Sequence, residues 1–270
     1  MDVHVPGGIR DLNSYGSRVY NFEGCYTIPY RCYYSRNIEN LMMAGRDIST
    51  SKMAFSSTRV MGTCAAGGQA VGTAAALALK YGCTPRQIGE RHIHKLQQVL
   101  LKNDCFIPGF ASDDEADLAR KAKISASSQA KNCQAENVVN GISRNYGGRM
   151  NCWKSGSLKK PQTLALKLAE KSPIHQVRLT FDTDLSHEIQ PSMIKNVRDR
   201  QGKGLPKELV KDYSVSLLLN SRVVCTKEVE NNGQRLNRLD FDETEADEVR
   251  ITVKSSHGCD YAAVFEVRIY

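Results

Sequence analysis

The sequence predicts an α+β protein: a helix-bearing first part with two main helices, then an antiparallel β-sandwich of jelly-roll type. Three observations carry this. Gly, Ala, Met and Tyr are frequent up to about residue 110, and the pattern changes there. Residues 58–102 space their apolar side chains at helical period. After residue 124, short runs alternate apolar and polar between polar turns, as half-buried strands do. The 270 residues are 41% hydrophobic and 24% charged. That composition is ordinary for a globular chain and excludes disordered, collagen-like and small disulfide-scaffold proteins. No apolar run reaches the roughly 18–20 residues of a membrane helix. The opening MDVHVPGG lacks the basic-then-apolar pattern of a signal peptide.

In chain order, Asn40-Leu41-Met42-Met43-Ala44-Gly45 reads as a short buried strand ending in a glycine turn. Thr58 to Lys80 reads as a helix of small residues. Gly62, Gly67, Gly68 and Gly72 lie inside it, each costing up to about 1 kcal/mol relative to Ala. Close approach of the backbone to another element or a ligand is the expected reason. Thr84-Pro85-Arg86-Gln87 opens the next helix with a cap, Pro at the first position and Gln three residues on. Ile88, Ile93, Leu96 and Leu100 give it a buried face, and Lys102-Asn103-Asp104 ends it. Ser112–Glu115 starts a short acidic helix, placing a linker over 111–121 between parts 1–110 and 122–270. Strands are expected at Thr163–Leu168, Val177–Phe181, Tyr213–Leu219, Val223–Val229, Leu236–Phe241, Val249–Val253 and Val264–Tyr270.

The net charge is +8 and is spread over both parts. A nucleic-acid binder would show a basic stripe with interleaved aromatics, so no nucleic acid is expected as partner. The densest basic stretch, Lys195 to Lys211, reads as a solvated loop, with attraction of an acidic polymer as the alternative. Nine cysteines include no C-x-x-C, so neither zinc-ribbon nor iron–sulfur spacing is present. Reduced, buried thiols are the simplest reading. Cys133 and Cys152 can pair in an oxidising compartment.

The stretch from Tyr26 to Ile88, through LMMAGRDIST and STRVMGTCAAGGQAVGTAAALALK, resembles the C-terminal part of bacterial FAD-dependent oxidoreductases. The group meant is the one that includes the flavin subunit of heterodisulfide reductase. The resemblance covers roughly residues 1–110 and implies a partial FAD-binding α/β segment. It places Gly45, Arg46 and Asp47 where the family meets the pyrophosphate and ribityl chain. It places Gly62, Thr63, Cys64 and Ala65 where a helix N-terminus meets the flavin ring. Helix N-termini favour negative charge, on a phosphate or a reduced flavin. Arg59 would add charge, and Gln69 would hydrogen-bond the cofactor or a neighbouring sheet. His4 reads as a packed strand residue or a group near the flavin. His92 and His94 read as surface or core residues, and Tyr30 and Arg31 as loop-positioning residues. No general acid or base is assigned, and the substrate and electron acceptor are open. The family's first FAD contact is a G-x-G-x-x-G βαβ unit, and the chain contains no such motif. The resemblance therefore implies a C-terminal fragment that alone binds FAD weakly or not at all. It also implies exposed apolar surface or an unpaired strand edge in the first part.

Ala135-Glu136-Asn137-Val138-Val139-Asn140-Gly141, Asn151-Cys152-Trp153 and the closing AVFEVRIY resemble a galactose-binding-like domain of the discoidin or coagulation-factor type C kind. Many such domains hold calcium. Glu266 matches the family's last-strand ligand, while Asn140 stands where an Asp is usual, which weakens the site. Trp153 reads as core or loop packing, or as a sugar-stacking platform. Loops carrying Arg144, Tyr146 and His187 are the default ligand surface. Together the resemblances imply an FAD-dependent oxidoreductase part with an accessory carbohydrate-binding-like module. The alternative is a non-catalytic carbohydrate or surface-binding module with a vestigial enzyme half. For localisation, a periplasmic or secreted relative is expected, with the cytoplasm as alternative.

Overall fold

A computed structural model describes residues 24–187, 189 and 192–270, together with the strands at 2–4 and 17–19 as backbone. The chain divides into two compact units, residues 1–109 and 110–270.

In the first unit, strands β1 (Asp2–His4) and β2 (Ser17–Val19) pair antiparallel. His4 falls in β1, and its side chain lies outside the described residues. After Pro29 a 3-10 turn spans Tyr30–Tyr33. The expected strand at 41–44 is absent: Met42 forms an isolated bridge to Tyr34, and Leu41 and Ala44 are exposed. Three backbone hydrogen bonds replace it, Ser35 N–H to Leu41, Met43 N–H to Tyr33 and Ser49 N–H to Cys32. A helix not foreseen, α1 (Lys52–Thr58), is capped by Ser51, whose hydroxyl accepts the Ala54 N–H. The chain then breaks at Arg59-Val60, so α2 runs Met61–Tyr81 and starts three residues later than expected. At its end Gly82 (φ +59°) and Cys83 both return N–H groups to the Ala78 carbonyl, closing the helix as left-handed glycines do.

The capping box at Thr84 forms as expected and opens α3 (Pro85–Arg91). His92 interrupts the predicted single helix, and α4 continues over Ile93–Lys102. Ala74, Leu77 and Ala78 of α2 pack with Ile88, Leu96 and Leu100 in one apolar cluster. Of the four α2 glycines, Gly67 meets the expectation of close approach: a Cβ there would stand 2.9 Å from the Tyr33 ring. Gly62, Gly68 and Gly72 face open space. The expected exposed apolar surface is present on the same helix, where Met61 and Leu79 are 72% and 86% exposed.

The second unit is an antiparallel sandwich built on two long strands. The runs expected as four strands are two: β5 spans Gln162–Phe181 and β8 spans Leu236–Ser256. Their first and second halves serve different layers. The start of β5 pairs with β3 (Lys123–Ala126) and with the end of β8. Beyond a register shift between Lys167 and Ser172, β5 pairs with the start of β8 and with β9 (Ala263–Ile269). Strand β4 (Trp153–Lys154) extends β9. Strands β6 (Val210–Leu219) and β7 (Arg222–Val229) extend the other layer from β8. Asn220 and Ser221, both at positive φ, join β6 to β7, the conformation that suits a two-residue hairpin. The layers enclose Leu164, Leu166, Val177, Leu179, Val215, Ile251 and Val267. Phe181 meets Tyr213 edge to face, with centroids 5.0 Å apart.

The expected linking helix at 111–121 is absent, and the segment packs on the sandwich. Ser112 N–H donates to the Gly141 carbonyl, and the Tyr270 hydroxyl to Asp114. Asp117 is buried and accepts from the N–H groups of Ile269 and Ala119, both at 3.0 Å, which starts a 3-10 turn at Leu118–Lys121. A carboxylate that bonds the last strand holds the segment better than an isolated acidic turn would. The basic stretch holds a short helix, α5 (Lys195–Asp199), with no buried residue.

Candidate functional site

Helix α2 begins without a side-chain cap, because its N-cap residue is Val60. The first intrahelical bond runs from Cys64 N–H to the Val60 carbonyl, at 3.0 Å. The N–H groups of Met61, Gly62 and Thr63 precede that bond and project from the helix end. A Cβ at Gly62 would meet nothing within 4 Å. Ala65 is exposed, and Thr63 and Cys64 are half-buried. The Cys64 thiol donates to the Thr58 carbonyl at 3.5 Å. Arg59, half-buried, caps α1 through its N–H to Phe55. Five of the expected residues, Arg59 and Gly62 to Ala65, thus sit at one helix end. That end is small, open and electropositive.

Gly45 (φ +113°), Arg46 and Asp47 form a turn. Arg46 lies 5.9 Å from the Phe55 ring centre, which brings the turn against α1. Asp47 lines a hollow of about 450 Å³ with Arg31, Arg36 and Arg86. Three guanidinium groups against one carboxylate make that hollow cationic. Arg86 also donates to the Arg36 carbonyl at 3.1 Å and covers Tyr34. Arg36 and Arg86 were not foreseen. They come from a turn and from a helix start, and no spacing in the sequence joins them.

Other expected residues do structural work. Gln69 donates to the Asn103 carbonyl at 3.4 Å, tying α2 to the end of α4. His92 stacks on Tyr81, and His94 is exposed on α4. The Tyr30 hydroxyl donates to the Pro85 carbonyl at 2.8 Å, and its ring would clash with any Cβ at Gly89. Burial pushes the Tyr30 hydroxyl well above the ordinary phenol range and Tyr33 up to about 12, so neither is ionised near neutrality.

In the second unit, Trp153 is fully buried and donates its indole N–H to the Ser128 carbonyl at 2.9 Å. It is core, which overturns the sugar-platform alternative. Arg235 joins two loops by bonding the Phe181 and Ser143 carbonyls. Those loops carry the expected ligand surface. Tyr146 is 37% exposed on a tight turn with Arg149. The Arg144 carbonyl accepts from Asn151. His187 accepts the Gly202 N–H at its Nε2, at 3.2 Å.

The residues expected for calcium do not fit it. Glu266 is buried and ion-paired with Arg268 at 2.9 Å. The Asn140 oxygen accepts the Ile142 N–H, and its amide donates to Asn151. Calcium wants several uncommitted oxygens. Among the described residues no group of three or more His, Cys, Asp or Glu gathers. Cys133 and Cys152 are both thiols, buried together with Phe265. Burial and the neighbouring Cys133 push the Cys152 thiol up to about 12.

The family profile described as FAD dependent oxidoreductase matches residues 1–100. No curated protein matches the chain. Among solved structures, it is similar to a Streptococcus pneumoniae fucose binding module, at 15% identity and TM-score 0.44, over 57% of this chain and 97% of that one. It is also similar to the lectin domain of lectinolysin complexed with Lewis B antigen, at 17% and 0.44, over 58% and 98%. A third is the family 32 carbohydrate-binding module of C. perfringens NanJ in complex with galactose, at 16% and 0.40, over 56% and 95%. The profile match falls on the first part, where the resemblance to FAD-dependent oxidoreductases was expected, and the second unit is the antiparallel β-sandwich described above.

Proposed function

We propose that the first unit supplies the second FAD contact of an oxidoreductase acting on a small organic substrate with a separate electron acceptor. The second unit is its accessory glycan-binding module. The observation that carries the reading is the uncapped, open N-terminus of α2. It fits an anionic, phosphate-bearing planar cofactor. The N–H groups of Met61 to Thr63 would hold negative charge, and Gly62 lets a ring approach the backbone. Arg31 and Arg36, in the cationic hollow, would hold the pyrophosphate beside the Gly45 turn. When bound, FAD supplies the electron and hydride transfer, and the protein supplies position and electrostatics.

FAD titration followed by the flavin absorbance tests this. The chain is expected to purify without stoichiometric FAD and to bind added FAD weakly, and Gly62→Leu to weaken that binding at least tenfold. Stoichiometric yellow protein would sink the partial-site reading. An unchanged affinity in Gly62→Leu would sink the placement at α2. The second reading, a binding module alone, is favoured by the complete core of the second unit. Glycan binding by the full chain that falls in Tyr146→Ala, with no flavin bound at any concentration, would select it.

A further inference from the structure

Beside the cationic hollow lies a pocket of about 390 Å³ that the flavin reading leaves unused. Its walls come from Ile28 and Pro29, from the Ser49–Ser51 run, and from Ala54 and Thr58 of α1. The two cavities share Cys32 and Ser49, which are joined by the Ser49 N–H to Cys32 carbonyl bond at 2.9 Å. Their chemistries differ. No Asp, Glu, Lys, Arg or His lines the smaller pocket. An ion placed there would lose its hydration with no countercharge to replace it.

Three of its hydroxyls are committed. Ser51 caps α1 through the Ala54 N–H, and Ser57 bonds the Tyr26 hydroxyl at 2.7 Å. Thr58 differs in being both buried and unpartnered. It is 5% exposed, and its hydroxyl has no hydrogen-bond partner. A buried hydroxyl without a partner is costly, and a ligand acceptor would relieve the cost. Threonine in a helix populates two χ1 rotamers, and turning between them exchanges methyl for hydroxyl at the pocket wall. The volume sits at the small end of the range for organic ligands, enough for one or two rings.

We infer that this pocket binds an uncharged, largely apolar carbonyl compound of one or two rings, whose oxygen takes the Thr58 hydroxyl. The binding stands apart from the flavin reading. The test titrates the full ¹⁵N-labelled chain with 1-indanone and with indane, the same skeleton without the oxygen. Amide shifts should appear at residues 26–32 and 49–58, with 1-indanone bound roughly fivefold more tightly than indane, about one hydrogen bond's worth. Thr58→Val keeps the shape and should erase that preference while leaving indane binding unchanged. Ala54→Phe, at an exposed position, should fill the pocket and abolish both, with a dispersed spectrum showing that it folds. No shift with either probe, shifts elsewhere, or binding that survives Ala54→Phe would overturn the site. A preference that survives Thr58→Val would overturn the role of its hydroxyl. Displacement of 1-indanone by FAD would give the pocket to the cofactor instead.

Discussion

At the scale of single residues, the glycines separate by what stands beside them. Gly67→Ala drives a Cβ to 2.9 Å from Tyr33 and is expected to cost about 1–3 kcal/mol. Gly72→Ala meets open space and should stabilise by up to about 1 kcal/mol through helix propensity. Urea denaturation of the two variants measures both signs. The sequence showed four glycines in one helix but not which of them touches a ring, because Tyr33 lies more than thirty positions away. Trp153→Ala, deep in the second core, should cost about 3–5 kcal/mol. Any loss of glycan binding in that variant would report unfolding. Asp117 titrates at about 6: burial raises it, the Ile269 and Ala119 N–H groups and Arg268 lower it, and Glu266 raises it. A carboxyl raised in the folded state binds more protons there than in the unfolded chain, so stability falls as pH rises from about 4 to about 6. Thermal melts across that window should show a decline in the wild type that is smaller in Asp117→Asn.

At the scale of elements, local chemistry was legible and long-range pairing was not. The capping box at Thr84 and the Pro at the next position were readable because all their partners lie within one turn. Thr84→Ala removes the cap and should cost about 1 kcal/mol, measured by denaturant midpoint. The break between α1 and α2 was missed because Thr58-Arg59-Val60 carries no Gly or Pro to announce it. The long strands were missed for the opposite reason. Ser172-Pro173 and Glu243–Ala246 look like turns, yet Pro173 pairs with Glu245 across a bulged register inside the ladder. Of the candidate site, the helix end was legible through resemblance, while the arginines of the hollow met only on folding.

At the scale of the molecule, each unit has its own apolar core, and the second is far larger. Calorimetry should therefore show two unfolding transitions, the first unit melting earlier. A single transition would contradict separate cores. The open face of α2, with Met61 and Leu79 exposed beside three glycines whose surroundings are empty, leaves the first unit the less stable of the two.

The two long strands also set a tempo. β5 finds its partner between Gln162↔Val253 and Thr180↔Leu236, and it is flanked by β9 through Val177↔Ile269. Almost none of that ladder is local, so little can form until residues 236–269 have been made and brought back. Chains whose contacts span such distances close expensive loops before any contact rewards them. Refolding of the sandwich from denaturant is expected on the slow, millisecond-to-second scale of all-β domains. During that delay the exposed valines of β7, Val223 and Val224, have time to meet another chain.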